Sequence, residues 1–245
     1  MNFTDSLIIL LRRNFRESDR IVSAFSLEHG RISLRFPGVN KSCSKLKALS
    51  EPFAYSCARV YMRGSFSVGC VTGGRLETVF PQIRQDYRKM NLAFYFCELM
   101  HVLTASYNPN AQKFYLLETS LNEIASCEVT SAIAPAFLLR LMQLGGFGLR
   151  DMALLDIEPA FWAKMHELPL SALCFEREQD LMNLNKTRYI CQKFLAKYLD
   201  YPLKTMEELS PEAFCGGQEY FRGSGVEPIE EALGVIMERA PALSY

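Results

Sequence analysis

The chain has 245 residues, 27 basic and 27 acidic side chains, and 49% hydrophobic residues. This composition excludes an intrinsically disordered chain and is typical of a globular protein with one large domain or two smaller ones. The neutral total conceals an asymmetry, because residues 1–90 contain 15 Lys and Arg against 7 Asp and Glu, whereas residues 91–245 contain 12 against 20. The basic half favours a polyanion partner, although neighbouring domains also differ in charge by chance.

The first 80 residues predict five short strands, at 6–14, 18–30, 31–36, 52–64 and 65–74. In the second strand Ile21, Phe25 and Leu27 share one phase. The third strand alternates strictly, so Ile32, Leu34 and Phe36 are expected to point inward. Five strands in so short a segment favour a closed barrel, since closure removes exposed edges, and the oligonucleotide-binding (OB) barrel is the best-known form with that number.

Pro81 marks a change to helical periodicity. Helices are predicted at 81–106, 108–127, 130–148, 158–167, 185–200 and 226–240, and residues 210–225 are expected to form a mobile connection. The sequence thus predicts an α+β protein. Residues 1–80 are expected to form a five-stranded OB-fold β-barrel, and residues 81–245 an α-helical domain.

Neither a cofactor site nor a catalytic site is evident. Gly145, Gly146 and Gly148 follow a helical pattern rather than a strand, so they are expected to end a helix and not to bind a dinucleotide. The three histidines are far apart, and no side chains are arranged to activate a nucleophile. We therefore expect a protein that is not an enzyme and has no cofactor.

The cysteines and the apolar runs indicate the compartment. None of the eight cysteines forms a C-x-x-C pair, which favours a reducing environment and predicts no metal site. Basic residues follow the apolar run at 7–11 instead of preceding it, unlike a signal peptide, and no run approaches the length of a membrane span. We expect a cytoplasmic protein without membrane contact.

The candidate DNA-binding residues combine cations and aromatic rings. The odd positions of the fourth strand interleave two tyrosines with two arginines, and a lysine-rich loop follows the third strand, whose own arginines face outward. Rings that stack on bases beside cations that bind phosphates are typical of single-strand binding. The predicted set is Arg31, Arg35, Lys41, Lys45, Lys47, Tyr55, Arg59, Tyr61 and Arg63. Two alternatives remain: a bulge that turns the aromatics inward, and a charged face that is only solvated.

The order of these segments resembles the RecO family of bacterial recombination mediators. The likeness is carried by "ESDRI", "EHGRIS", the basic loop, "LSEPF", the long helix from "FPQIRQDY", the segment "FLLRLMQLGGFG" and the closing helix "TRYICQKFLAKYLDYPLKTMEEL", and it covers residues 5–209. It implies an OB-fold before a helical domain, binding of single- and double-stranded DNA, strand annealing, and help in exchanging single-strand binding protein for recombinase. It also implies RecR and the acidic tail of single-strand binding protein as partners, and nucleoid association when DNA is bound.

Two positions in the second half bear on this resemblance. Arg140 matches an arginine of the family segment, and its fork of donors suits the carboxylates of the partner tail or a local carboxylate. Many family members carry a four-cysteine zinc knuckle after this segment, but here Cys174 stands alone, and one thiolate cannot complete a tetrahedral site. A protein-interaction adaptor that keeps the scaffold and has lost DNA binding is the alternative function.

Overall fold

The computed structural model describes residues 1–64, 67–147, 157–199 and 202–205. Its first part contains five strands, as the sequence predicts, and a short 3-10 helix at Ala48–Ser50 precedes the fourth. The strands are β1 (Asn2–Phe15), β2 (Asp19–Ser26), β3 (Gly30–Phe36), β4 (Tyr55–Tyr61) and β5 (Gly69–Thr78).

The five strands form a closed barrel in the order β1-β2-β3-β5-β4. All neighbours are antiparallel except β3 and β5, which pair in parallel at Leu34 with Gly69 and at Arg35 with Cys70. Strand β1 is long enough to pair with β4 through its first half and with β2 through its second half. The predicted OB-type barrel is therefore confirmed.

The barrel interior follows the period-2 pattern of the strands. Ile32, Leu34 and Phe36 are buried in the interior cluster, as the alternation of β3 predicts. Strand β2 contributes Val22 and Ala24, so its interior phase is opposite to the phase of Ile21, Phe25 and Leu27. Phe25 is fully buried nevertheless, outside that cluster, because the barrel carries a helix on its outer face.

The described chain forms two compact units, one with residues 1–125 and one that begins at Ser126. The first unit adds three helices to the barrel, which are α1 (Pro81–Gln85), α2 (Tyr87–Leu103) and α3 (Ala111–Ser126). Asp86 caps α2 by accepting the backbone N–H groups of Arg88 and Lys89. Helix α2 packs against β1, where the Cys97 thiol lies 3.9 Å from the Ile9 carbonyl oxygen.

The second unit contains α4 (Ile133–Leu144), α5 (Pro159–Glu167) and α6 (Glu178–Tyr198). Helix α4 ends as predicted, because Gly146 has a φ of +84° and the N–H groups of Gly146 and Phe147 bond to Gln143 and Met142. The predicted connection at 210–225 and the predicted terminal helix at 226–240 lie outside the described residues. Where the chain is described, no helix has both the length and the apolarity needed to cross a membrane.

Candidate nucleic-acid interface

A row of side chains crosses the outside of the barrel at right angles to the strands. Arg13 of β1 lies opposite Ile21 of β2, and Ile21 lies opposite Arg35 of β3. Directly opposed residues share one face of a sheet, and neighbouring strands are about 4.8 Å apart. The register therefore brings the backbones of Arg13 and Arg35 to within about 10 Å of each other on the outer face.

The same row continues across the parallel seam of the barrel. Arg35 pairs with Cys70 of β5, and Cys70 pairs with Tyr61 of β4. Tyr61 is 43% exposed. We call the five residues Arg13, Ile21, Arg35, Cys70 and Tyr61 the outer row. It places an exposed ring two strands away from an arginine.

The lysines of the loop after β3 surround one end of the barrel. Leu46 packs against the interior cluster, which leaves its neighbours Lys45 and Lys47 exposed. Lys41 is also exposed, after a turn in which its N–H bonds to the Gly38 carbonyl at 3.2 Å. Within the described parts of the chain, none of these three lysines forms an ion pair or a side-chain hydrogen bond.

A buried arginine holds both ends of this loop. Arg20 is 6% exposed and donates to the Asn40 side chain at 3.3 Å and to the Ser50 hydroxyl at 2.7 Å. It also pairs at 3.0 Å with Glu51, a carboxylate that Arg12 shares. Residues 40 and 50 therefore meet at one side chain, so the lysines between them stay at the same end of the barrel.

The turn between β1 and β2 is tied to the beginning of the loop. The Asn40 N–H donates to the Ser18 carbonyl at 2.9 Å, and the Gly38 N–H donates to the Asp19 carboxylate at 2.8 Å. The Gly38 bond lowers the pKa of Asp19, with smaller contributions from Ser18, Arg35 and Arg16, and burial opposes them. The turn carries the exposed Arg16. We call the set Arg13, Arg16, Arg35, Lys41, Lys45 and Lys47 the basic cluster.

Two members of the cluster were not among the sequence-predicted site residues. Arg13 and Arg16 follow the apolar run of β1 and are exposed. The sequence did contain a signal for them, because both belong to the group of basic residues at the end of the first strand. Only the strand register shows that Arg13 and Arg35 lie in one row, with Ile21 between them.

Two predicted residues are held by helices instead. Arg31 is half-buried, its Nε donates to the Thr104 carbonyl at 2.9 Å, and burial lowers its pKa. Tyr55 is half-buried with its ring edge-on to Phe114 of α3, at 5.9 Å between centroids, and burial raises its pKa. Neither residue adjoins the basic cluster, and their contact with DNA stays a prediction.

Arg59 and Arg63 are exposed on β4 and just after it, in the phase that the sequence predicts. The alternate residues Ala54, Ser56, Ala58, Val60 and Met62 are buried, so no bulge turns the aromatics of β4 into the barrel. Arg59 pairs in register with Thr4 of β1 and Gly73 of β5. It therefore lies on the side of the barrel that Tyr61 shares.

Arg140 lies in the second unit and binds the end of helix α5. Its Nε donates to the Met165 carbonyl at 3.0 Å, and its second nitrogen donates to the Leu168 carbonyl. A cation at this end is favourable, because the last carbonyls of a helix carry partial negative charge. Burial and the nearby Arg140 lower the pKa of His166 to about 4. The predicted binding of a partner tail by Arg140 is not tested by these contacts.

The described residues contain no group of three His, Cys, Asp or Glu side chains that could hold a metal ion. Cys174 is an exposed free thiol. The expectation of a zinc-free protein stays a prediction, to be checked by elemental analysis.

Comparison with known proteins finds one family over the barrel and the helices that follow it, up to residue 152. A family model described as Recombination protein O N terminal matches residues 1–80, and one described as Recombination protein O C terminal matches residues 84–152. The first model coincides with the barrel, and the second begins near the end of α1 and covers α2 to α4.

Curated relatives named DNA repair protein RecO are similar to the chain. The Bacillus pumilus protein is 27% identical over 191 residues, 78% of this chain and 67% of the relative. The Pelotomaculum thermopropionicum protein is 31% identical over 57% of this chain and 54% of the relative. The Geobacter metallireducens protein is 32% identical over 48% of this chain and 47% of the relative. The matches with the last two span about half of each relative.

Proposed function

The chain belongs to the RecO family, and from this premise we propose that it is a DNA-binding recombination mediator. It binds single- and double-stranded DNA, anneals complementary strands, and helps to exchange single-strand binding protein for recombinase. The observation that supports this proposal is the basic cluster next to the exposed Tyr61.

The chemistry of the cluster suits the nucleic-acid backbone. Six cations gather at one end of the barrel, and the closest carboxylate to Arg35 that is described, Asp19, lies at 3.9 Å and also accepts the Gly38 N–H. Cations that contact phosphates release condensed counterions, so binding of this kind does not depend on sequence and weakens as salt rises. The outer row adds a ring at its far end, where a base can stack.

Binding of a labelled single strand across a salt series tests the proposal. We expect log K to fall linearly with log salt, with a slope of about −0.7 for each phosphate contact. Five or six phosphate contacts therefore give a salt slope of about −4. A folded protein that binds neither single strands nor duplex at low salt would overturn the proposal.

A non-catalytic adaptor is the second candidate. Two predicted DNA-binding residues favour it, because Arg31 binds the end of α2 and Tyr55 packs against α3. These contacts give both residues a structural role. Such an adaptor would bind its protein partners without DNA. The salt series separates the two functions.

RecR and the acidic tail of single-strand binding protein are the proposed partners. Arg140 is proposed as the cation that meets the tail, and its position beside the partly exposed Leu168 supports this role. An apolar surface next to an arginine suits an acidic and hydrophobic peptide. We further propose that the protein works in the cytoplasm and associates with the nucleoid when bound to DNA.

A further inference from the structure

Strand β5 contains two consecutive glycines that serve different purposes. A Cβ on Gly74 would lie 2.8 Å from the Cys57 carbonyl oxygen and 3.0 Å from the Ala58 Cα, so β4 passes too close for any side chain there. A Cβ on Gly73 would instead meet the guanidinium of Arg59, at 2.8 Å from a terminal nitrogen and 3.5 Å from Cζ and Nε. Position 74 has to be glycine because the backbone of β4 lies against it, whereas the glycine at position 73 leaves space that the Arg59 side chain occupies.

The backbone at Gly73 does not itself require glycine. The described glycines with positive φ are Gly30, Gly38 and Gly146. The ladder between β4 and β5 shifts between Arg59 and Val60, and glycine is needed at such a bulge only where φ is positive. A β-branched or aromatic residue, which strands usually favour, would fit this conformation. The remaining reason for glycine is the space that Arg59 occupies.

Arg59 lies across β5 at that place. It is exposed, and it forms no ion pair with any residue that the structure describes. Its other cross-strand neighbour, Thr4, is also short. Tyr61 is two residues further along β4, on the same face at about 6.7 Å along the strand. An uncompensated cation thus lies next to an exposed ring.

We infer that Gly73 is a positioning residue: by leaving the surface of β5 bare, it lets the Arg59 guanidinium lie across that strand beside Tyr61, where it contacts a phosphate of a bound single strand. This inference rests on the proposed function. Without the space at position 73 the guanidinium has to leave its place over β5. A preorganised cation binds more tightly than a freely moving one, because less side-chain entropy is lost on binding.

The test is a double-mutant cycle with Gly73→Ala, Arg59→Ala and both changes together. Gly64→Ala is the matched control, because a Cβ on Gly64 meets nothing within 4 Å. Affinity for labelled oligothymidine and the melting temperature are measured for each protein over a salt series. Both single changes are expected to weaken binding roughly fivefold, and Arg59→Ala to flatten the salt slope by about 0.7.

A shared mechanism predicts that the double variant binds no more weakly than Arg59→Ala, since Gly73 acts only through that side chain. The melting temperatures should match that of the Gly64→Ala control. The inference is overturned if Gly73→Ala binds like the unaltered chain, if the two effects add, or if Gly73→Ala melts well below the control. In each of these cases the unaltered chain still binds DNA, so the proposed function stands. If the unaltered chain does not bind DNA, the inference on Gly73 and the proposed function are both overturned.

Discussion

The backbone N–H of Gly38 donates to the Asp19 carboxylate at 2.8 Å and so joins the loop after β3 to the turn between β1 and β2. The left-handed φ of Gly38, +62°, aims this N–H at the carboxylate. Arg35 lies 3.9 Å from the other oxygen of Asp19. The half-buried Asp19 carboxylate therefore holds together two segments that carry members of the basic cluster.

Removal of this carboxylate should loosen the loop. Asp19→Ala is expected to lower the melting temperature at neutral pH. The folded pKa of Asp19 is below its ordinary value of 3.8. Its stabilisation is therefore present above about pH 4 and is lost as the pH falls through the lower folded pKa. Melting curves at neutral and acidic pH check this, with Glu17→Ala as the control from the same turn. An equal difference at both pH values would contradict it.

The basic cluster should act through phosphates. Changing Arg35, Lys41 and Lys45 together to Ala is expected to weaken DNA binding for all sequences alike and to flatten the single-strand salt slope by about 2. Arg13→Ala should flatten it by about 0.7, and Arg88→Ala, an exposed arginine on α2, serves as its control. If the folded triple variant keeps its affinity and its slope, the adaptor becomes the better function.

The two tyrosines of β4 should behave differently. Tyr61→Ala is expected to weaken single-strand binding by about 1–3 kcal/mol, to spare duplex binding, and to leave the melting temperature unchanged. Tyr55→Ala is expected to weaken single-strand binding as well, but also to lower the melting temperature, because its ring contacts Phe114. Equal loss on single strands and duplex for Tyr61→Ala would show that the ring does not stack on bases.

Arg140 should have a structural and a binding effect that can be separated. Arg140→Ala removes two hydrogen bonds to the end of α5 and is expected to lower stability by about 1–3 kcal/mol. It should also weaken binding of a peptide with the acidic tail of single-strand binding protein, measured by fluorescence anisotropy. Lys164→Ala, a cation on α5 itself, is the control. Unchanged peptide affinity in folded Arg140→Ala would refute the binding role and leave the capping role.

The sequence predicted the barrel because its signals were local. The alternation of β3 and the change of period at Pro81 depend only on neighbouring residues. The inward face of β2 was harder to predict, because both faces of this strand carry apolar residues. Phe25 is buried on the outer side, beneath the helical layer. The sequence predicts a helix from residue 185, whereas α6 begins at Glu178, because its polar first turn is held by the ion pair of Arg177 and Asp180 at 2.9 Å.

The candidate site was predicted less well than the fold, because it depends on which strands are neighbours. Sequence spacing could not show that Arg13 and Arg35 lie in one row on either side of Ile21, since this needs the register of three strands. Nor could it show that Arg31 faces the end of α2, which is 73 residues further along the chain at Thr104. The outward phase of Arg31 and Arg35 follows the alternation of β3, as predicted, but the sequence does not show which residues surround them.

The parallel seam between β3 and β5 consists of two residue pairs, Leu34 with Gly69 and Arg35 with Cys70. Closing it joins segments about 35 residues apart, so its loop entropy is large for the few bonds that it forms. We expect the barrel to open here first, with fast amide hydrogen exchange at Cys70. A DNA strand bound along the outer row from Arg35 to Tyr61 crosses this seam and would keep β3 and β5 paired. Slower exchange at Cys70 in the presence of DNA would show it, and unchanged exchange would speak against it.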